Sequence, residues 1–282
     1  MANSHNFVYI NDQILKQDKA LISIDQRGFL FGDGLFETCR FINRKIINFE
    51  AHLKRLKIGL SSLKFNCKID DIEKKCYQLI EKNNLQIGII RISISRGIGS
   101  HGYLPTFQSP NLIVIQTKDL PNLPNNRSLI TSSIHSGQFP FKSANALNYV
   151  LAKIFAEENN CFDAILFDHQ GYICETSSAN IFWIKNGTIF TPDNQCPMVQ
   201  GTIREILLNL PELKIISGKF KVDDLQNADE VFITNAIFQI LPINKIIFTG
   251  LNSSCQTPPL SVSYQSAMIE QITSILTKQL NH

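Results

Sequence analysis

Phe141-Lys142-Ser-Ala-Asn-Ala-Leu-Asn opens a stretch that runs on to Gly171-Tyr-Ile-Cys-Glu175-Thr-Ser-Ser-Ala-Asn180-Ile-Phe-Trp, and its reading decides the fold. Lys142 stands just before a helical pattern. Leu147, Val150, Leu151, Ile154 and Phe155 recur at three- and four-residue steps, so one face is apolar. Asp163-Ala-Ile-Leu-Phe-Asp168 is an apolar run of strand length. His169-Gln170-Gly171 reads as a turn, and Tyr172 to Glu175 starts the return strand. Glu175 is then near a strand end, with Thr176-Ser177-Ser178 behind it. Taken singly, such a lysine and such a glutamate are ordinary surface residues. A helix and a hairpin can nevertheless bring them to one pocket.

Upstream, Phe7 to Ile10 with Asn11-Asp12 reads as strand and turn, and Leu21 to Ile24 as another short strand. In Arg27-Gly-Phe-Leu-Phe-Gly32-Asp-Gly34-Leu-Phe36-Glu-Thr38-Cys-Arg40, two glycines flanking an aspartate mark a tight backbone feature. Asn43-Arg44 is a hairpin-like turn. A helix starts at Phe49 with Leu53, Leu56, Leu60 and Leu63 on one face. Arg55 lies off that stripe, where exposure is the ordinary expectation. A second helix spans about Asp70 to Asn83. Gly88 to Arg96 alternates as a strand and leads into Gly97-Ile-Gly-Ser-His101-Gly102-Tyr103, which spells GxGxxG. A dinucleotide site needs a helix to open there, and Pro105 argues against one.

Downstream, Asn111 to Gln116 is an apolar strand. The turn-rich Lys118-Asp-Leu-Pro121-Asn-Leu-Pro124-Asn-Asn is the best domain boundary in the chain. The reading is domains at 1–118 and 128–282, with a linker at 119–127. Asn186-Gly187 signals a type I′ hairpin. Gly201-Thr202-Ile203-Arg204 is a glycine feeding a helix, a start whose N–H groups suit phosphate or are simply capped. Glu230 to Ala236 is a strand ending in Asn235-Ala236, and Leu260 to Leu280 reads as a long amphipathic helix.

The 282 residues carry 27 basic and 24 acidic side chains, too balanced for an electrostatic nucleic-acid footprint. No apolar run approaches a membrane span, and the N-terminus lacks an apolar signal core. The seven cysteines are scattered, never CxxC, and read as reduced thiols of a cytoplasmic protein. The histidines show no metal-ligand spacing.

These motifs, in this order, resemble the branched-chain and D-amino-acid aminotransferase family, the fold-type IV pyridoxal phosphate enzymes. The resemblance implies a mixed α+β chain: a smaller N-terminal α/β domain, a larger β-rich C-terminal domain with flanking helices, and pyridoxal 5′-phosphate between them. It implies that Lys142 carries the cofactor as a Schiff base. Glu175, in Gly171-Tyr-Ile-Cys-Glu175, binds the pyridine nitrogen. Arg55, in His52-Leu-Lys-Arg55-Leu56, binds the phosphate, together with the main chain at Thr202 and Ile203. Ser178 and Asn235 complete the cofactor set. Phe36, Thr38, Arg40, Arg96, His101 and Tyr103 are the implied substrate-lining residues, of which only one strand parity faces the pocket.

Two departures stand out: Gln26 replaces the usual aspartate, and His101 stands where the aminodeoxychorismate lyases usually carry arginine. Arg96-Gly-x-Gly-x-x-Gly-Tyr and Asn235-Ala236 are especially similar to those lyases, which release pyruvate and 4-aminobenzoate for folate synthesis. Glu37 and His101 point instead toward an aminotransferase acting on branched-chain or D-amino acids with 2-oxoglutarate. A homodimer is expected, because family pockets are completed by a partner chain.

Overall fold

The computed structural model describes residues 6–99, 102–106, 109–249, 260–264 and 267–281. The chain folds as two compact units. The first holds the chain through Pro121 together with Phe141–Asn145; the second holds Asn122–Pro140 and the chain from Ala146 onward. The chain thus leaves the second unit after Pro140, lends five residues including Lys142 to the first, and returns at Ala146. A linear reading has no means of drawing that excursion.

The first unit is a six-stranded antiparallel sheet in the order β2-β1-β6-β5-β3-β4. Its strands are β1 (Phe7–Ile10), β2 (Gln13–Lys16), β3 (Gly34–Ile42), β4 (Lys45–Ile46), β5 (Ile87–Ser95) and β6 (Leu112–Lys118). Alternation sorts the two faces. Leu35, Cys39 and Phe41 on β3 and Ile90, Ile92 and Ile94 on β5 are buried against α2 (Phe49–Ser62) and α3 (Ile72–Lys82). The opposite parity, Phe36, Thr38 and Arg40 beside Arg91 and Ser93, is only half-buried. The β3–β4 turn uses Asn43 and Arg44 at positive φ, 51° and 64°.

The second unit is layered. One five-stranded sheet runs β16-β15-β7-β8-β9, the other β12-β11-β10-β13-β14. The first is built from β7 (Ser128–His135), β8 (Asp163–Phe167), β9 (Ile173–Thr176), β15 (Lys245–Phe248) and β16 (Leu260–Ser263). The second is built from β10 (Asn180–Lys185), β11 (Thr188–Pro192), β12 (Ile215–Gly218), β13 (Glu230–Asn235) and β14 (Gln239–Ile243). Ile165, Phe167 and Ile246 meet Trp183, Ile233 and Leu241 in the core between the sheets. Outside the second sheet, Phe182 and Phe232 pack under α5 (Thr202–Leu208) and α6 (Ala267–Asn281). Outside the first, α4 (Leu147–Glu158) rests on Ile130, Ala164 and Leu166. Asn186-Gly187 makes the β10–β11 hairpin with φ of 49° and 72°, as its sequence predicts.

Two local expectations need correction. Leu21–Ile24 is not a strand: it finds no pairing partner, and Leu21 and Ile24 are 84% and 76% exposed. The expected helix over 260–280 begins only at Ala267, because Leu-Ser-Val-Ser at 260–263 has period two and pairs antiparallel with β15. Of the apolar stripe of α4, Phe155 packs against the core and the rest turns outward. The helix seats itself through Ala152 and Ala156, leaving Leu147, Val150, Leu151 and Ile154 exposed.

Candidate active site

In the first unit, the Lys142 segment pairs with the start of β3. Phe36 donates its N–H to the Lys142 carbonyl at 3.0 Å, and Ala144 donates to Gly34 at 2.9 Å. Two glycines make room for this. Gly32 ends the short helix α1 (Arg27–Phe31) at φ 65°, and a Cβ there would lie 3.2 Å from Asn145. A Cβ on Gly34 would lie 2.7 Å from the Ile94 carbonyl. Lys142 Nζ lies 5.1 Å from the centre of the Phe36 ring, and the Arg91 guanidinium stacks on the same ring at 4.0 Å. Burial pulls the Arg91 guanidinium below its ordinary value.

Behind that face, Arg55 donates Nε and Nη2 to the two oxygens of Glu37 at 2.8 and 2.7 Å. His52 Nδ1 lies 2.7 Å from Glu37 Oε2. All three side chains are buried. Burial alone would raise the Glu37 carboxyl, but the Arg55 charge and its hydrogen bonds, helped by His52, bring it down to about 2. Burial lowers His52 despite that carboxylate, with the Arg55 and Lys142 charges acting the same way. The ring is therefore neutral and donates Nδ1–H. Arg55, off its helix's apolar stripe, is buried because Glu37 occupies a core-facing position of β3.

Arg96, one of the expected substrate-lining residues, is buried in a polar cluster. Its Nε binds Asp33 at 2.9 Å, Nη1 and Nη2 donate to the carbonyls of Lys64 and Leu63, and its plane covers Phe65. Arg27 shares Asp33 through Nε at 2.8 Å and donates to the carbonyls of Gly102 and Tyr103 at 2.9 and 2.7 Å. The Tyr103 ring is 87% exposed and lies against Phe31. His101 lies outside the described residues.

In the second unit, Glu175 is 3% exposed. Its Oε1 accepts from Ser136 Oγ at 2.7 Å and from Tyr149 Oη at 2.8 Å, and Oε2 accepts the Val199 N–H at 3.1 Å. Next to it, buried Asp163 accepts six donors: the Thr176, Ser177 and Ser178 hydroxyls and the Ala164, Ser177 and Ser178 N–H groups. Asp163 thereby shapes the turn that carries Ser178. Asn235 donates Nδ2 to the Ser178 carbonyl at 3.2 Å and caps the N–H groups of Ile237 and Phe238. Thr202 and Ile203 open α5, both buried. Asn180 holds the Val199 carbonyl at 2.8 Å, so close to Gly201 that a Cβ there would meet Asn180 Oδ1 at 1.9 Å.

A known family covers most of this chain. The model of the family described as "Amino-transferase class IV" matches residues 34–246. The chain belongs to this family. The D-alanine aminotransferase of Staphylococcus aureus is 30% identical over 95% of this chain and 98% of its own length. Among solved structures, the branched-chain aminotransferase of Escherichia coli superposes with a TM-score of 0.85 at 20% identity, covering 98% of this chain and 94% of its own. The 4-amino-4-deoxychorismate lyase of Pseudomonas aeruginosa superposes at 0.80 and 22% identity, covering 98% and 100%. Class IV members are pyridoxal-phosphate-dependent enzymes.

The residues present fit that group. The cofactor's aldehyde needs a primary amine, and Lys142 is half-buried against an aromatic face. Its pyridine nitrogen needs a buried anion, and Glu175 is a buried acid that accepts from Ser136, Tyr149 and the Val199 N–H. Arg91, Tyr149, Ser136 and Asp163 were not singled out in the sequence. Arg91 had a legible signal, a charge in the polar parity of an alternating strand. Tyr149 and Ser136 had none, since only folding brings them to Glu175.

Proposed function

We propose that this protein is a pyridoxal-phosphate-dependent lyase of 4-amino-4-deoxychorismate, releasing pyruvate and 4-aminobenzoate in the cytoplasm for folate biosynthesis. The observation that carries the reading is the Phe36–Thr38–Arg91 face. It sets a flat apolar ring beside a guanidinium that, among the described residues, has no ion pair or hydrogen bond. A flat cyclic substrate with two carboxylates matches such a face, its ring lying along Phe36 and a carboxylate meeting the charge.

When bound, the cofactor supplies an electrophilic aldehyde and an electron-withdrawing ring. Lys142 supplies the amine, and its Nζ takes the proton from the substrate carbon that bears nitrogen. That proton is returned to the departing three-carbon fragment, which leaves as pyruvate while the remaining ring becomes aromatic. Glu175 keeps a proton on the pyridine nitrogen. Arg55, held in one orientation by Glu37, and the main chain at Thr202 and Ile203 hold the phosphate. Ser178 and Asn235 line the same cofactor. Phe36, Thr38 and Arg91 orient the substrate.

A second reading, an aminotransferase acting on branched-chain or D-amino acids with 2-oxoglutarate, is favoured by the 30% identity to a D-alanine aminotransferase. Purified enzyme given 4-amino-4-deoxychorismate, and separately D-alanine or L-leucine with 2-oxoglutarate, decides between them. Release of 4-aminobenzoate and pyruvate without keto-acid exchange supports the lyase; exchange alone sinks it. We further propose a homodimer, formed in part on the exposed stripe of α4.

A further inference from the structure

Four elements converge on the Glu175 carboxylate. The strand β9 carries it, Ser136 follows β7, Tyr149 lies on α4, and Val199 precedes α5. The seat of Tyr149 is built for the contact. Its oxygen accepts the Gly137 N–H at 3.2 Å, and a Cβ on Gly137 would come within 2.5 Å of that oxygen. A chain of donors therefore runs from the Gly137 amide through the phenol to Glu175 Oε1. Two hydroxyls on one oxygen of a nearly inaccessible carboxylate go beyond what is needed to bury a tyrosine and a serine.

We infer that Tyr149 and Ser136 are positioning residues that hold Glu175 as an anion and so keep the cofactor's ring proton on nitrogen. The inference rests on the proposed role of Glu175. The physical reason is the proton affinity of the carboxylate. Each donor stabilises the charged form and makes it a poorer competitor for a shared proton, by about tenfold for a hydrogen bond of ordinary strength to a charged group. Burial first, and then the Glu175 charge beside it, push the Tyr149 phenol well above its ordinary value. It therefore stays a donor at any working pH and does not become a second anion.

The experiment reads the proton directly. Holoenzyme is loaded with cofactor labelled with nitrogen-15 in its ring, and the ring-nitrogen resonance is recorded for wild type, Tyr149→Phe, Ser136→Ala and Glu175→Gln. The expected result places the wild-type signal at the protonated position. Tyr149→Phe and Ser136→Ala each move it part of the way toward the unprotonated position, and Glu175→Gln moves it furthest. Because the two hydroxyl variants lie on different elements, one that fails to fold leaves the other to decide. If Glu175→Gln shifts the resonance and neither hydroxyl variant does, the inference is overturned while the role of Glu175 stands. If Glu175→Gln itself leaves the resonance unmoved, both fall together.

Discussion

Arg55 and Glu37 form a two-pronged ion pair inside the first unit, with both prongs at 2.8 Å or less and neither partner more than 7% exposed. Breaking such a pair from one side leaves the other charge buried alone. Glu37→Gln is expected to destabilise the protein by about 3–5 kcal/mol. It should also weaken cofactor binding, because Arg55 loses its orientation. Denaturant unfolding and cofactor titration of the variant check both.

The same cluster sets a pH limit. Glu37 is held at about 2 against an ordinary 4.5, and His52 lies below its ordinary 6.5. Both groups bind protons more readily in the unfolded chain. Each therefore stabilises the fold above its unfolded value and loses that contribution as pH falls. Unfolding temperature should begin to drop below about pH 6.5, where neutral His52 costs the folded state a proton, and drop further below about pH 4.5. In His52→Gln the upper part of that decline should disappear while the lower part remains.

Arg91 bears a charge that burial penalises, with the Phe36 ring beside it. Arg91→Gln should leave the unfolding temperature unchanged or slightly higher. It should raise KM for a dianionic substrate by about 10- to 100-fold, the worth of a charge-assisted hydrogen bond. A variant that lost stability but kept its KM would assign Arg91 to the frame instead.

Asp163 is the hub of the turn that follows Glu175. Asp163→Asn turns one acceptor oxygen into a donor facing hydroxyls and N–H groups that already donate. A loss of about 3 kcal/mol is expected, together with weaker cofactor retention during dialysis, because Ser178 is no longer held. Thermal unfolding and the visible absorbance of the dialysed protein measure the two.

Leu147, Val150, Leu151 and Ile154 are 64%, 51%, 49% and 49% exposed along one side of α4. We assign this row to the proposed dimer contact. Val150→Glu with Ile154→Lys should shift the mass measured by light scattering from dimer to monomer while the circular dichroism spectrum is retained. An unchanged dimer would place the interface elsewhere.

Much of this was legible in order along the chain. The turn, strand and helix start around Lys142 and Glu175 each leave a local signature, but the two residues themselves stand out only through the resemblance to the family. The partner of Arg55 was half-legible: Glu37 shares its strand parity with Leu35, Cys39 and Phe41, and an acid in an apolar register demands a buried cation. Which cation meets it depends on how α2 packs, and no local pattern encodes that. The α4 stripe was read correctly as a row but not as an outward one. Periodicity reports that a face is apolar and is silent on what covers it. Leu21–Ile24 failed for the related reason that strand propensity without a partner makes no strand.

Arg27 suspends the backbone of Gly102 and Tyr103 from one guanidinium whose third nitrogen leans on Asp33. Carbonyls held in this way leave the side chains beside them free of that bond. Position 103, with its ring 87% exposed, can then change its side chain while the grip of Arg27 on its carbonyl survives.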